Sequence, residues 1–147
     1  MRRISLILIS VLIISFASAG CQTKSEVSIT QLTAQPEKDN GNTVTVEGFY
    51  FHGFETVVLC ESLTSSGYAP GHLIPSGATI WVNGGLTMQN FERLHVQQMM
   101  GPTERFGKVR ITGVFEYGGQ YGHVGAFKYQ ITPEKVELLD WSPARIG

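Results

Sequence analysis

The chain has 147 residues, of which 42% are hydrophobic, 10% aromatic and 16% charged, and its formal net charge at pH 7 is −1. This length and composition suit one globular domain with a packed core. Nucleic-acid binding depends largely on neutralising phosphates with Lys and Arg. Because 11 such residues are interspersed with 12 Asp and Glu, we expect no nucleic-acid partner.

The first 20 residues have the pattern of a secretory signal peptide. Arg2 and Arg3 precede an apolar run from Ile4 to Ala17, and small residues then lead to Cys21. The run is shorter than the roughly 20 residues that a bilayer-spanning helix needs. Residues 1–20 are therefore predicted to be removed.

The segment Ser18-Ala19-Gly20-Cys21 resembles the lipobox of bacterial membrane lipoproteins, although the usual Leu three residues before the cysteine is Ser18 here. The resemblance implies cleavage before Cys21, a diacylglyceryl thioether on its sulfur and palmitate or a similar acyl group on the new N-terminus. Gln22 stands where retained inner-membrane lipoproteins have Asp. The resemblance therefore implies an outer-membrane protein facing the periplasm in a Gram-negative host, and otherwise the outer face of the cytoplasmic membrane. An uncleaved anchor and ordinary secretion are the alternatives.

The predicted organisation after the signal peptide is a lipidated tether over 21–26 and one domain over 27–147. If Cys21 carries lipid, only Cys60 remains, so no intrachain disulfide is expected. We expect the membrane as a partner through Cys21, and no cofactor.

The domain is predicted to be mainly β. A short strand over 27–29 and one helical turn over 30–35 precede strands in which apolar and polar residues alternate. The segment 62–77 is rich in Gly, Pro and Ser and is predicted to be an exposed loop. The predicted strands cover 43–51, 56–61, 78–83, 108–117 and 125–131, the last resuming over 135–139.

One helix is predicted over 88–100, because good helix formers precede Gly101-Pro102, a pair typical of helix ends. Phe91, Leu94 and Met99 are expected to face the core. An order of three strands, a helix and two strands is that of an OB-fold, a small five-stranded and partly open Greek-key barrel. An open α+β sheet and another small barrel are the alternatives.

Two segments, Val44–Phe49 and Val109–Val114, place a glycine at the same point, Gly48 or Gly113, after two β-branched residues. Glycines within strands permit the sharp bends that close a small barrel. In an OB-fold these two strands lie side by side.

With Ile29–Pro36, Ile80-Trp81-Val82 and the motif Gly122-His123-Val124-Gly125, these segments are similar to a set of small bacterial envelope proteins with an OB-like fold. That set has no assigned activity. The resemblance therefore implies a fold and a location in the envelope, but no chemistry.

His123 is the strongest candidate for a functional side chain, because it lies in the glycine-dense connection Tyr117–Gly125. In an OB-fold, this connection and the one between the first two strands border the usual binding face. Glycines also allow backbone to approach a ligand closely. In the alternative interpretation, they only form a tight hairpin that the imidazole holds to a backbone carbonyl. The predicted ligand-binding residues are His123, Tyr121, Tyr117, His52 and Phe54.

His52, Glu55 and His123 could bind zinc if the two connections meet, which would make the protein a metal carrier or a metal-dependent enzyme. We predict neither a catalytic residue nor a metal ligand, because no nucleophile elbow, phosphate loop or Cys-x-x-Cys pair is present. Cys60 is expected to be a core residue. The favoured function is a lipid-anchored, non-enzymatic module that binds a ligand or an envelope protein. A structural envelope lipoprotein is a third hypothesis.

Overall fold

The computed structural model describes residues 25–99 and 101–144, so the predicted signal peptide and Cys21 lie outside the described residues. The described chain is mainly β, as predicted. Its strands are β1 (Ser25–Val27), β2 (Thr43–Gly53), β3 (Thr56–Ser65), β4 (Leu73–Val82), β5 (His95–Gln97), β6 (Glu104–Tyr121) and β7 (Phe127–Leu138). Its helices are α1 (Ile29–Ala34), α2 (Pro36–Asp39) and α3 (Met88–Glu92).

The described strands form one seven-stranded mixed sheet in the order β1-β2-β3-β4-β7-β6-β5, and β2 also pairs with β6. The five long strands therefore pair in a cycle. The pairs β1–β2 and β4–β7 are parallel, and the others are antiparallel. The sequence predicted a barrel of five strands, and this number is wrong. Two short strands are added, because β1 pairs with β2 and β5 pairs with β6.

The predicted pairing of the two glycine-containing segments is confirmed. Strands β2 and β6 pair continuously from Thr43 opposite Val114 to His52 opposite Arg105. Gly48 is needed in β2 because a Cβ there would lie 2.7 Å from the Ile29 side chain and 2.9 Å from the Cys60 carbonyl oxygen. The missing side chain therefore lets α1 and β3 approach β2 closely.

Strand β7 continues through Pro133, although the sequence predicted an interruption there. Pro133 lies opposite Gly113 at a break in the β6–β7 register. A Cβ on Gly113 would clash with the Thr132 carbonyl. Strand β7 thus accommodates Pro133 at this break in register, because Gly113 on the neighbouring strand leaves space for it.

The predicted helix over 88–100 is wrong beyond its first turn. Helix α3 ends at Glu92, and the chain then forms β5 against β6. The Arg105 guanidinium donates to the carbonyls of Phe91 and Glu92 at 3.2 and 3.3 Å and lies over the Phe91 ring. A residue distant in sequence therefore satisfies carbonyls that a continuing helix would use. Leu94 is buried as expected, but Met99 is 44% exposed.

Two other predicted boundaries are wrong. The expected loop over 62–77 is mostly an extension of the β3–β4 hairpin, which pairs Ser62 with Ser76 and Ser65 with Leu73. Serine and glycine in this segment hid the strands, since their side chains give no apolar alternation. Ser25 and Glu26, expected in the tether, pair with Val44 and Thr45 of β2.

The buried apolar side chains form two clusters, because successive side chains of a strand point to opposite faces. Tyr50 belongs to the larger cluster and its neighbour Phe51 to the smaller one. The smaller cluster also has Val58 and Phe106 at its centre, and Trp81, Phe127 and Trp141 pack around them. The smaller cluster supports the candidate site described next.

Candidate binding site

Two connections that the sequence predicted at one rim do meet. We call them the loop pair: Phe54-Glu55, which joins β2 to β3, and Gly122–Ala126, which joins β6 to β7. The imidazole Nε2 of His123 lies 3.3 Å from the carboxylate Oε2 of Glu55. This contact between the imidazole and the carboxylate, which is an ion pair when the imidazole carries a proton, links loops that are far apart in sequence.

Backbone conformation in the loop pair is unusual. Glu55 has φ 57° and Val124 has φ 48°, and within residues 25–99 and 101–144 no other non-glycine residue has a positive φ. Such a conformation is a genuine outlier for a β-branched residue. Strained residues of this kind persist where the surrounding structure holds them, and they cluster at functional sites. Here the turn is held by backbone bonds from Gly125 to Gly122 and from Ala126 to His123.

Gly122 fixes the longer loop onto the smaller apolar cluster. Its φ of 71° and ψ of −160° belong to a region that is essentially restricted to glycine. A Cβ at this position would lie 2.5 Å from the Trp81 ring and 2.7 Å from the Phe127 ring. These two rings pack on each other with centroids 5.2 Å apart. The start of the longer loop therefore packs directly on this pair of rings at Gly122.

Each loop of the loop pair presents an apolar side chain to solvent. Phe54 is 69% exposed and Val124 is 85% exposed. His123 and Glu55 are both about half exposed, so their pairing contributes little to stability. The loop pair therefore combines a half-exposed His123–Glu55 pair with two exposed apolar side chains that neighbour it in sequence.

His52 is not brought to His123 by any described contact. Its ring packs edge-on against Phe91 at 5.0 Å, and its Nδ1 lies 3.3 Å from the Tyr50 hydroxyl. Burial lowers the pKa of His52. His52 thus belongs to the packing between β2 and α3, whereas its neighbours Phe54 and Glu55 belong to the loop pair.

The zinc site considered from the sequence does not assemble in the described chain. Residues 25–99 and 101–144 contain no group of three His, Cys, Asp or Glu side chains close enough to hold a metal ion. His123 has one carboxylate partner, Glu55, and His52 faces elsewhere.

The two predicted tyrosines border the longer loop. Tyr117 is 41% exposed, stacks on Tyr129 at 5.9 Å, and its amide donates to the Asn40 side chain. Tyr121 is partly buried, and a Cβ on Gly119 would lie 2.7 Å from its ring. Tyr121 therefore packs on its own connection, which leaves Tyr117 as the more accessible ring.

Cys60 is a buried core residue, as predicted. Its thiol lies 3.1 Å from the Ser62 carbonyl oxygen and 3.3 Å from that of Phe49. Burial raises the pKa of the Cys60 thiol to about 11. The thiol is therefore protonated at neutral pH and unsuited to nucleophilic attack.

Sequence reasoning missed a buried polar network near Phe54. His72 is buried, and its Nε2 lies 2.9 Å from Glu104 Oε2, which also accepts from Gln97 Nε2 at 2.7 Å. Gln97 in turn bonds both backbone groups of Leu73. No local spacing could have revealed this network, because His72 and Glu104 lie 32 residues apart and His72 was placed in an exposed loop.

No helix in residues 25–99 and 101–144 is long and apolar enough to cross a membrane. Comparisons with known protein families, with curated proteins and with solved structures found no significant match to the chain.

Proposed function

We propose that the chain is a lipid-anchored protein of the bacterial cell envelope that binds a ligand or another envelope protein through the loop pair, without catalysing a reaction. The location in the cell envelope is supported by one observation, the order of Arg2-Arg3, an apolar run and Ser18-Ala19-Gly20-Cys21. In this account, Cys21 carries the lipid, the outer membrane holds the protein in a Gram-negative host, and the folded domain lies in the aqueous space.

The fold proposed for the domain is an OB-like barrel extended by two short strands. The cycle of β2, β3, β4, β7 and β6, with a parallel β4–β7 contact, supports this assignment. The short helix α3 between β4 and β6 also supports it. In OB-folds the connections that correspond to the loop pair border the binding face.

Binding through the loop pair is supported by three properties that coincide there. Exposed apolar side chains, Phe54 and Val124, lie beside the His123–Glu55 ion pair. Both described non-glycine residues with positive φ occur in these loops. Tyr117 adds an accessible ring near the longer loop. Binding sites commonly combine such exposed side chains with loops held on a rigid scaffold.

The anchoring part of the proposal is tested by metabolic labelling with palmitate in a bacterial host. Wild-type protein should incorporate the label and sediment with membranes. Cys21→Ser should abolish labelling, whereas Cys60→Ala should leave it intact because Cys60 is buried. Labelling that persists in Cys21→Ser would refute the assignment of the lipid to Cys21.

The binding part is tested by quantitative capture from envelope extract, with the captured proteins identified. Phe54→Ser and Val124→Ser should each weaken capture of a specific partner about tenfold or more, since truncation of a hot-spot contact costs about 2 kcal/mol or more. Met88→Ser is the control, because Met88 is equally exposed but lies in α3. Equal losses in all three variants would contradict a role for the loop pair.

Elemental analysis separates this proposal from the metal hypothesis. Purified wild-type protein is expected to lack stoichiometric zinc, because His123 and Glu55 supply only two ligands and structural zinc takes four. Stoichiometric zinc that is lost in His123→Ala but kept in His95→Ala would replace the proposal with a metal carrier or metalloenzyme.

A further inference from the structure

A cavity of about 230 Å³ adjoins the loop pair and shares Phe54 with it. Two members of the polar network, His72 and Glu104, form its polar end, and apolar side chains form the rest. Among the described residues, those that line it are Phe54, His72, Met99, Gly101, Pro102 and Glu104. Its volume suits a small organic molecule rather than a macromolecule.

The polar end of this cavity is fixed in position before any ligand arrives. Glu104 Oε2 accepts from Gln97, and it lies 2.9 Å from the imidazole of His72. Gln97 is itself held by the backbone of Leu73 through both its amide nitrogen and its oxygen. Binding groups whose rotamers are fixed by neighbouring hydrogen bonds lose little entropy on binding.

The network is costly to the fold, which favours a role beyond packing. His72 is only 8% exposed, and its Nδ1 has no hydrogen-bond partner among the described residues. A buried polar atom without a partner costs about 1–3 kcal/mol. In native structures each such atom calls for an explanation, and packing alone does not supply one here.

The side chains that line the cavity indicate which class of ligand it would bind. Glu104 is the only carboxylate among the described residues that line the cavity, and its side chain is 24% exposed. Both of its described contacts within this network use Oε2. Its second oxygen can therefore accept from a donor that enters the cavity. Phe54 and Met99 supply a ring and a thioether beside it. A positively charged donor with a short apolar chain complements both ends.

We propose that this cavity binds the ammonium group of a small organic amine, with Glu104 as the acceptor and Phe54 and Met99 around the alkyl part. His72 and Gln97 are positioning residues that hold the Glu104 carboxylate. The site does not depend on lipidation at Cys21, and Glu104 separates it from the loop pair, with which it shares only Phe54.

The proposal is tested with n-butylammonium and its neutral analogue n-butanol. The full chain is labelled with ¹³C at the methionine methyl groups, purified in a neutral maltoside detergent and titrated with each compound by NMR. The Met99 methyl signal, assigned with Met99→Leu, should shift saturably with n-butylammonium and respond at least tenfold more weakly to n-butanol. Absence of a saturable shift, or equal affinity for the two compounds, would overturn the proposal.

Two variants locate the binding. Glu104→Gln keeps the shape of the network and should weaken n-butylammonium binding about 10–100-fold, since a hydrogen bond to a charged group contributes about 1.5–3 kcal/mol. Phe54→Ala, at an exposed position, should weaken it several-fold even if Glu104→Gln proves unstable. Met88→Ala, outside the cavity, should bind as wild type does. Unchanged affinity in Phe54→Ala or in folded Glu104→Gln would refute the assigned site.

Discussion

At Gly122 in the candidate site, both the backbone conformation and the neighbouring rings require a residue without a side chain. Its φ of 71° excludes most side chains, and a Cβ would enter the space of Trp81 and Phe127. Gly122→Ala should therefore cost about 3 kcal/mol in the free energy of unfolding, through backbone strain and overpacking together. Urea unfolding measures this cost.

Gly118 provides the matched control for that substitution. It has a positive φ of 93° near the end of β6, just before the same loop, but a Cβ there would meet no atom within 4 Å. Gly118→Ala should therefore cost only about 1–2 kcal/mol, from the left-handed backbone alone. Equal costs for the two alanine variants would show that packing on Trp81 does not hold the loop.

Cys60 makes stability depend on pH in the alkaline range. Burial raises the pKa of its thiol from 9.0 to about 11, so the unfolded chain loses this proton first as the pH rises. The stability that the neutral thiol contributes is complete below about pH 9 and is lost as the pH rises through about 11, by at most about 3 kcal/mol. Urea unfolding at about pH 8 and about pH 10.5 measures the loss.

Cys60→Ala should be less stable than wild type at neutral pH, because it leaves a small cavity, but its stability should fall less between the two pH values. Some decline should remain, because burial also raises the pKa of Tyr50 to about 12. An identical decline in wild type and Cys60→Ala would contradict the assigned burial of the thiol.

At the scale of elements, α1 shows how a short helix is stabilised at its start. The Ser28 hydroxyl accepts from the Gln31 amide, and the Gln31 side chain accepts from the Ser28 amide. This reciprocal capping box holds a helix of six residues. Ser28→Ala should therefore cost about 1 kcal/mol in urea unfolding. Gln89→Ala, at an exposed position of α3, should cost close to nothing, and a similar cost for both would argue against the cap.

The elements with strong local signals were predictable from the sequence. Alternation of apolar residues located β2 and the start of β3, and the repeated glycines predicted that β2 and β6 pair. The loop pair was predicted as well, through the glycine-dense segment around His123. In each case the information lies within a few neighbouring residues.

The elements that depend on distant partners were not predictable. The end of α3 is set by Arg105, which lies 13 and 14 residues from the carbonyls it binds. The outer part of the β3–β4 hairpin includes serines and Pro75, which give no clear strand pattern, so pairing decides its structure. The His72–Glu104 network depends on the same pairing, so its site could not be recognised from spacing.

At the scale of the whole molecule, the proposed lipid anchor on Cys21 lies close in sequence to the β-rich domain that holds the candidate binding site. Strand β1 begins at Ser25, four positions after Cys21, and is fixed to β2 by its pairing with Val44–Val46. Because extended chain covers at most about 3.6 Å per residue, a lipid on Cys21 would hold the domain close to the membrane surface. The loop pair and the cavity beside Phe54 would then act within reach of that surface.

The central claim is therefore best tested by intact-mass and N-terminal peptide mass spectrometry of the protein isolated from bacterial membranes. The account predicts that the mature chain begins at Cys21 and carries a diacylglyceryl group on the sulfur, with an acylated amino group where the host completes that step. A mature chain that begins at Met1 with an unmodified thiol at Cys21 would contradict it.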